Sequence, residues 1–111
     1  MLTVKIFAKK GHVYGFEITG HAKFDTYGKD IVCASVSSVA YMVANTLTDV
    51  IDVPVQLEIK NSGYMKVLLK DKNAVPKSVS DLLKGFERHI KSLAENYPNN
   101  LKVIYGGVTN A

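Results

Sequence analysis

The chain has one cysteine, Cys33, and three histidines, and these are its side chains suited to act as nucleophile or base near neutral pH. His21 lies a short loop ahead of Cys33, and Asp30 lies between them. A thiol reacts as its thiolate, and the free N–H groups and dipole at a helix start favour negative charge there. Asp30 has the chemistry of an N-cap, so the spacing predicts a helix whose first residues are Ile31, Val32 and Cys33. The N–H groups of Cys33 and Ala34 would then also receive the oxyanion that forms when a carbonyl is attacked. His21 follows Gly20 at the end of a predicted strand, where its imidazole would take the thiol proton. Asp30 is open to two readings, a third member that orients the imidazole or only a helix cap. A carboxylate there would stabilise an imidazolium and disfavour a thiolate. From residue types alone, a lone cysteine in an apolar helix is as well explained as a small core residue as by catalysis.

The elements that must position these groups follow from the periodicity. Leu2, Val4, Ile6 and Ala8 alternate with Thr3, Lys5, Phe7 and Lys9, and Tyr14, Phe16 and Ile18 alternate again after Lys10 and Gly11, which predicts a hairpin. Residues 20–29 have no period and read as a loop. From Ile31 to about Val50 the residues are apolar or small on every side, which predicts a helix with no solvent face. Val55 to Ile59 and Tyr64 to Lys70 form a second hairpin around Asn61, Ser62 and Gly63. Val79, Leu82, Leu83, Phe86, Ile90, Leu93 and Tyr97 recur at helical steps up to Pro98, and Leu101, Val103 and Tyr105 close the chain as a strand. The order is β-β-α-β-β-α-β. It predicts a single α+β domain over residues 1–111, with two helices packed on a mixed or antiparallel five-stranded sheet.

Gly20-His21-Ala22 and, after a short loop, Gly28-Lys29-Asp30-Ile31-Val32-Cys33-Ala34-Ser35-Val36-Ser37 resemble the signature of the ribosomal-processing cysteine protease family. Ser35 departs from the alanine or glycine usual there, a small change on a helix. The resemblance implies a Cys-His dyad of His21 and Cys33 working through an acyl-enzyme. It implies as substrate the precursor of large-subunit ribosomal protein twenty-seven, cleaved after a phenylalanine in its N-terminal extension, and it implies a cytoplasmic homodimer. An apolar pocket beside Cys33 is then needed, with Phe24, Tyr27 and Tyr41 as candidate walls. The segment from Ala22 to Lys29, with Gly28 as its point of freedom, is expected to close over the peptide as a lid.

The composition fits this reading. A hydrophobic fraction of 47% against 22% charged residues is that of a folded domain and argues against disorder. The charge of +4 arises largely beyond Leu57, from lysines spread along strands and a helix with no basic run. They read as a solvated face, and nucleic acid is not expected. A second class, a non-catalytic ribosome-associated or RNA-binding dimeric module, would rest on those lysines with Tyr64, Lys66 and Lys70 as its reading face. No cofactor is expected, and no paired-cysteine spacing supports a metal site with His12, His21, Cys33 and His89. His12 and His89 read as exposed. Ser35, Ser37, Ser38, Asn45 and Thr46 within the apolar run favour a core helix over a membrane span, and the first residues read as a strand rather than a secretory signal.

Overall fold

A computed structural model describes residues 1–20, 27–60 and 63–107, with the side chains of 27–30 outside that description. The strands are β1 (Leu2–Lys9), β2 (His12–Thr19), β3 (Val55–Lys60), β4 (Tyr64–Leu69) and β5 (Leu101–Gly106). Helix α1 (Tyr27–Asn45) follows β2, and helix α2 (Lys77–Asn96) follows β4. The strand order is β3-β4-β2-β1-β5. Only β1 and β5 pair in parallel, so the sheet is mixed.

Alternation decides which face is covered. Leu2, Val4, Ile6, Phe16, Ile18, Met65, Val67, Leu69 and Leu101 are buried and share the core with both helices. Thr3, Lys5, Phe7, Glu17, Lys66 and Leu68 alternate with them and line the other face, which no helix covers. Between Phe7 and Ala8 the register shifts, because Phe7 pairs with Gly15 while Ala8 pairs with Val13. Tyr14 is the extra residue of this bulge, and its ring meets Phe7 with centroids 6.1 Å apart. The two-residue turn before it places Lys10 at φ 51° and Gly11 at φ 79°, the left-handed pair that matches strand twist in a tight hairpin.

The second helix follows its pattern. Val79, Leu83, Phe86 and Ile90 are buried, and Phe86 stacks on Phe16 at 4.2 Å between centroids. The first helix departs from expectation. Val32, Val36, Ala40, Val43 and Ala44 face the core, but Ala34, Ser37, Ser38, Tyr41, Met42 and Asn45 are exposed. It therefore has a solvent face, built of small, hydroxyl and soft apolar side chains. Among the described residues no third layer covers it.

The α-helix ends at Asn45 and widens into a π turn (Thr46–Ile51). The Thr46 hydroxyl donates to the Met42 carbonyl at 2.7 Å, and Asp52 closes the turn in the left-handed region at φ 59°. The sheet thus has two distinct ends. β2 finishes and α1 begins at one; the β1–β2 turn, the segment after β4 and the start of α2 share the other.

Candidate active site

Gly20 fixes where the chain leaves the sheet for the site. Its φ is 76°, and a Cβ there would stand 2.5 Å from the Met1 carbonyl oxygen. Both facts require glycine, so the direction in which residue 21 departs is set by backbone geometry. His21 and Phe24 themselves lie outside the described residues, as does most of the expected lid. The last residues of that segment, Tyr27, Gly28 and Lys29, are not loop: they form the first turn of α1.

The early helix start corrects two expectations. Asp30 is the fourth helical residue and not the N-cap, so capping cannot be its role, although an acidic residue in a first turn still complements the helix dipole. Cys33 comes six residues after the helix begins. The unpaired N–H groups of a helix end belong to its first four residues, here 27–30, whereas those of Cys33 and Ala34 point at carbonyls one turn back. In this conformation they can receive an oxyanion only after the turns ahead of them unwind. Local chemistry misled here because an aspartate serves equally well as a cap or as a first-turn residue.

Cys33 is a free thiol, half-buried against the core. Steps of four along α1 place Ser37 and then Tyr41 on its side of the helix. These two residues, with Ala40, form one wall of a groove. Ile18 at the end of β2, Ile59 and Lys60 at the end of β3, and Gly63, Tyr64 and Met65 at the start of β4 form the rest. Tyr41 and Ile59 are 45% and 46% exposed across it, so a small, mostly apolar channel of about 50 Å3 lies one helical turn from the thiol. The expectation for Tyr41 places it in this wall. Ile59 and Tyr64 were not anticipated, although an isoleucine near the end of a short strand beside a turn was the available signal.

Tyr64 borders the groove, but its hydroxyl is turned to the uncovered face of the sheet, where it is engaged with Glu17. The Tyr64 hydroxyl donates to Glu17 Oε2 at 2.7 Å, and Lys5 Nζ stands 3.9 Å from Glu17 Oε1. Accepting that hydrogen bond, the Glu17 carboxylate pushes the Tyr64 phenol up to about 12, with desolvation adding to the shift. Tyr64 is thus a fixed donor that keeps its proton at neutral pH. His12 and His89 are exposed, on β2 and α2. Among the described residues no group of three or more His, Cys, Asp or Glu could hold a metal ion.

Comparison with known proteins bears on this geometry. Residues 1–102 match the family model described as cysteine protease Prp. The ribosomal processing cysteine protease Prp of Bacillus subtilis (strain 168) is 27% identical over 94 residues, spanning 82% of this chain and 84% of that protein. The crystal structure of SMU.848 from Streptococcus mutans superposes with a TM-score of 0.82 at 34% identity, covering 95% of this chain and 98% of that one. The S. aureus ribosomal processing protease Prp, solved with a covalently linked product peptide, superposes at 0.82 with 25% identity, covering 95% and 99%. A single half-buried thiol beside an apolar channel, on a fold shared along nearly the whole chain with proteases, leaves little room for a non-catalytic module. The chain belongs to the Prp family of cysteine proteases and is a cysteine peptidase.

Proposed function

We propose that the chain is an endopeptidase in which His21 and Cys33 form a dyad that removes the N-terminal extension of large-subunit ribosomal protein twenty-seven. The observation that carries this reading is the position of Cys33, one helical turn from a channel walled by Ser37, Tyr41, Ile59 and Tyr64. A peptide in that channel presents its carbonyl carbon to the thiolate, and an apolar side chain such as phenylalanine finds Tyr41 and Ile59 beside it. The sulfur–carbon bond forms as the carbonyl π pair moves to oxygen. The tetrahedral adduct then collapses, the carbon–nitrogen bond breaks, and the amine departs with a proton from the His21 imidazolium. Water, deprotonated by His21, cleaves the thioester and restores the thiol. Phe24 is assigned to the segment that closes on the peptide, and Asp30 to orienting the imidazole.

The ribosomal substrate class rests on the names of the relatives, and a cytoplasmic location follows from that class. Homodimer formation is supported by the uncovered face of α1, where Tyr41 lies exposed across the groove from Ile59 on the edge strand β3 and Met42 lies exposed on the side toward α2.

The test is incubation of the precursor protein with the wild-type chain, with Cys33→Ala and with His21→Ala. Wild type should release one N-terminal fragment, ending in phenylalanine. Cys33→Ala should release none, and His21→Ala should lose at least about a hundredfold in the chemical step while still binding the precursor. Cleavage by Cys33→Ala would overturn the dyad. An intact precursor beside a cleaved unrelated peptide would overturn the substrate and leave the dyad standing.

A further inference from the structure

The lysines that look scattered in the sequence are gathered by the fold at the end of the sheet remote from Cys33. The β1–β2 turn and the segment after β4 meet there around a pocket of about 480 Å3, lined by His12, Lys72, Asn73, Ala74, Val75 and Pro76. A second hollow adjoins it, with Lys9 and Lys10 added to the same His12, Lys72 and Asn73. Lys9 Nζ donates to Asn73 Oδ1, which ties the turn to the segment opposite. Among the described residues none of Lys9, Lys10 and Lys72 has a carboxylate within ion-pair distance. The nearest acid along the chain, Asp71, accepts the Asn73 backbone N–H at 3.0 Å.

The positive charge continues onto the face of the sheet that no helix covers. Lys72 Nζ lies 6.0 Å from the Tyr14 ring centroid, and Lys66 Nζ lies 5.8 Å from that of Phe7. Tyr14 and Phe7 are neighbours at the bulge, so two ammonium groups are held over adjoining rings. Tyr14 is only 7% exposed, which leaves its ring a support for lysine and not a platform for a base. Two carboxylates share this face beside Lys66, and both are engaged elsewhere: Glu17 accepts from Tyr64, and Glu58 stands 3.8 Å from Lys60.

We propose that this basic trough, from Lys9, Lys10 and Lys72 across to Lys66, binds the phosphate backbone of single-stranded RNA without reading its sequence. Spaced lysines without a compensating acid form a track for successive phosphates, and an open trough suits a strand better than an enclosed small anion. Lysine, a point charge on a flexible stem, suits phosphate without imposing base choice. The strands separating this site from the Cys33 end are eight residues long, roughly 25 Å at the usual rise, so the two sites act on different parts of a bound partner.

The test is fluorescence anisotropy of a labelled, mixed-sequence twelve-nucleotide RNA with the full chain between 50 and 200 mM KCl, repeated with a Lys9→Gln, Lys10→Gln, Lys72→Gln variant. Wild type should bind, with log affinity falling against log salt at a slope of about −3, from roughly 0.7 for each phosphate neutralised by the four lysines. The variant should keep its melting temperature, bind at least about tenfold more weakly, and show a slope flattened by about 2. Equal affinity and slope in the two proteins would overturn the proposal, as would absence of wild-type binding at 50 mM KCl. Displacement of the RNA by polyglutamate at equal charge would also overturn it, in favour of an acidic polypeptide.

Discussion

The two helices are nearly the same length, 19 residues in α1 and 20 in α2, and they do opposite things with their apolar surface. α2 separates its faces: Val79, Leu83, Phe86 and Ile90 go into the core, while Lys84, Arg88 and Lys91 stay in water. α1 carries apolar and small side chains all round and buries only one side of them. Both helices contribute to the core. The helix whose outward face is not polar enough for solvent alone carries the thiol and one wall of the channel. A surplus of apolar surface beyond what the core consumes is thus the local mark of function here.

That contrast can be broken at several points. The largest effect is expected on α2, where Phe86→Ala removes a fully packed ring stacked on Phe16 and should cost about 3–5 kcal/mol in denaturant unfolding. Stability unchanged by that substitution would contradict the placing of Phe86 in the core. Next comes Gly20→Ala, which forces an L side chain to φ 76° against the Met1 carbonyl. A loss of about 1–3 kcal/mol is expected, with peptidase activity reduced further than stability because residue 21 is redirected. Proportionate loss of both would mean that Gly20 serves the fold alone.

On the outward face of α1, Met42→Glu should change the unfolding free energy of the monomer by no more than about 0.5 kcal/mol. In sedimentation equilibrium it should convert the dimer expected of the wild type into a monomer. A wild type that sediments as a monomer would remove the reason offered for that exposed face. The smallest effect concerns Tyr64. Because its phenol is raised from 10.0 to about 12 in the folded state, the associated stability is fully present below pH 10 and is lost as pH rises toward 12. The group is only half-buried, so solvent screening limits the contribution to about 0.5 kcal/mol. Wild type should melt slightly above Tyr64→Phe at pH 8, and the difference should narrow as pH rises from 10 to 11.

The sequence disclosed most where side-chain period and burial coincide. Leu2, Val4 and Ile6 in β1 and Val79 through Ile90 in α2 could be placed because each alternation has a single face to satisfy. The mixed sheet with β5 beside β1 was only half legible, since pairing is a long-range choice that residues 101–106 do not encode locally. The start of α1 was misplaced because Tyr27, Gly28 and Lys29 carry no apolar period, while Asp30 has the chemistry of a cap. Within the proposed site, Cys33 stood out by residue type, and Tyr41 was one of three candidate walls that the family resemblance called for. The far wall of the channel was not legible, because Ile59 and Tyr64 reach it through the hairpin between β3 and β4. Lys9, Lys10 and Lys72 could not be grouped from sequence at all, since strand pairing alone brings the turn and the later segment together.

The most direct test of the central claim is to trap the nucleophile. The chain is treated at neutral pH with a chloromethyl ketone of a peptide ending in phenylalanine, and the adduct is located by intact mass and fragment mapping. A single adduct is predicted on Cys33, formed much more slowly in His21→Ala and absent from Cys33→Ala. No adduct, or one on another residue while Cys33 stays free, would contradict a peptidase acting through this thiol.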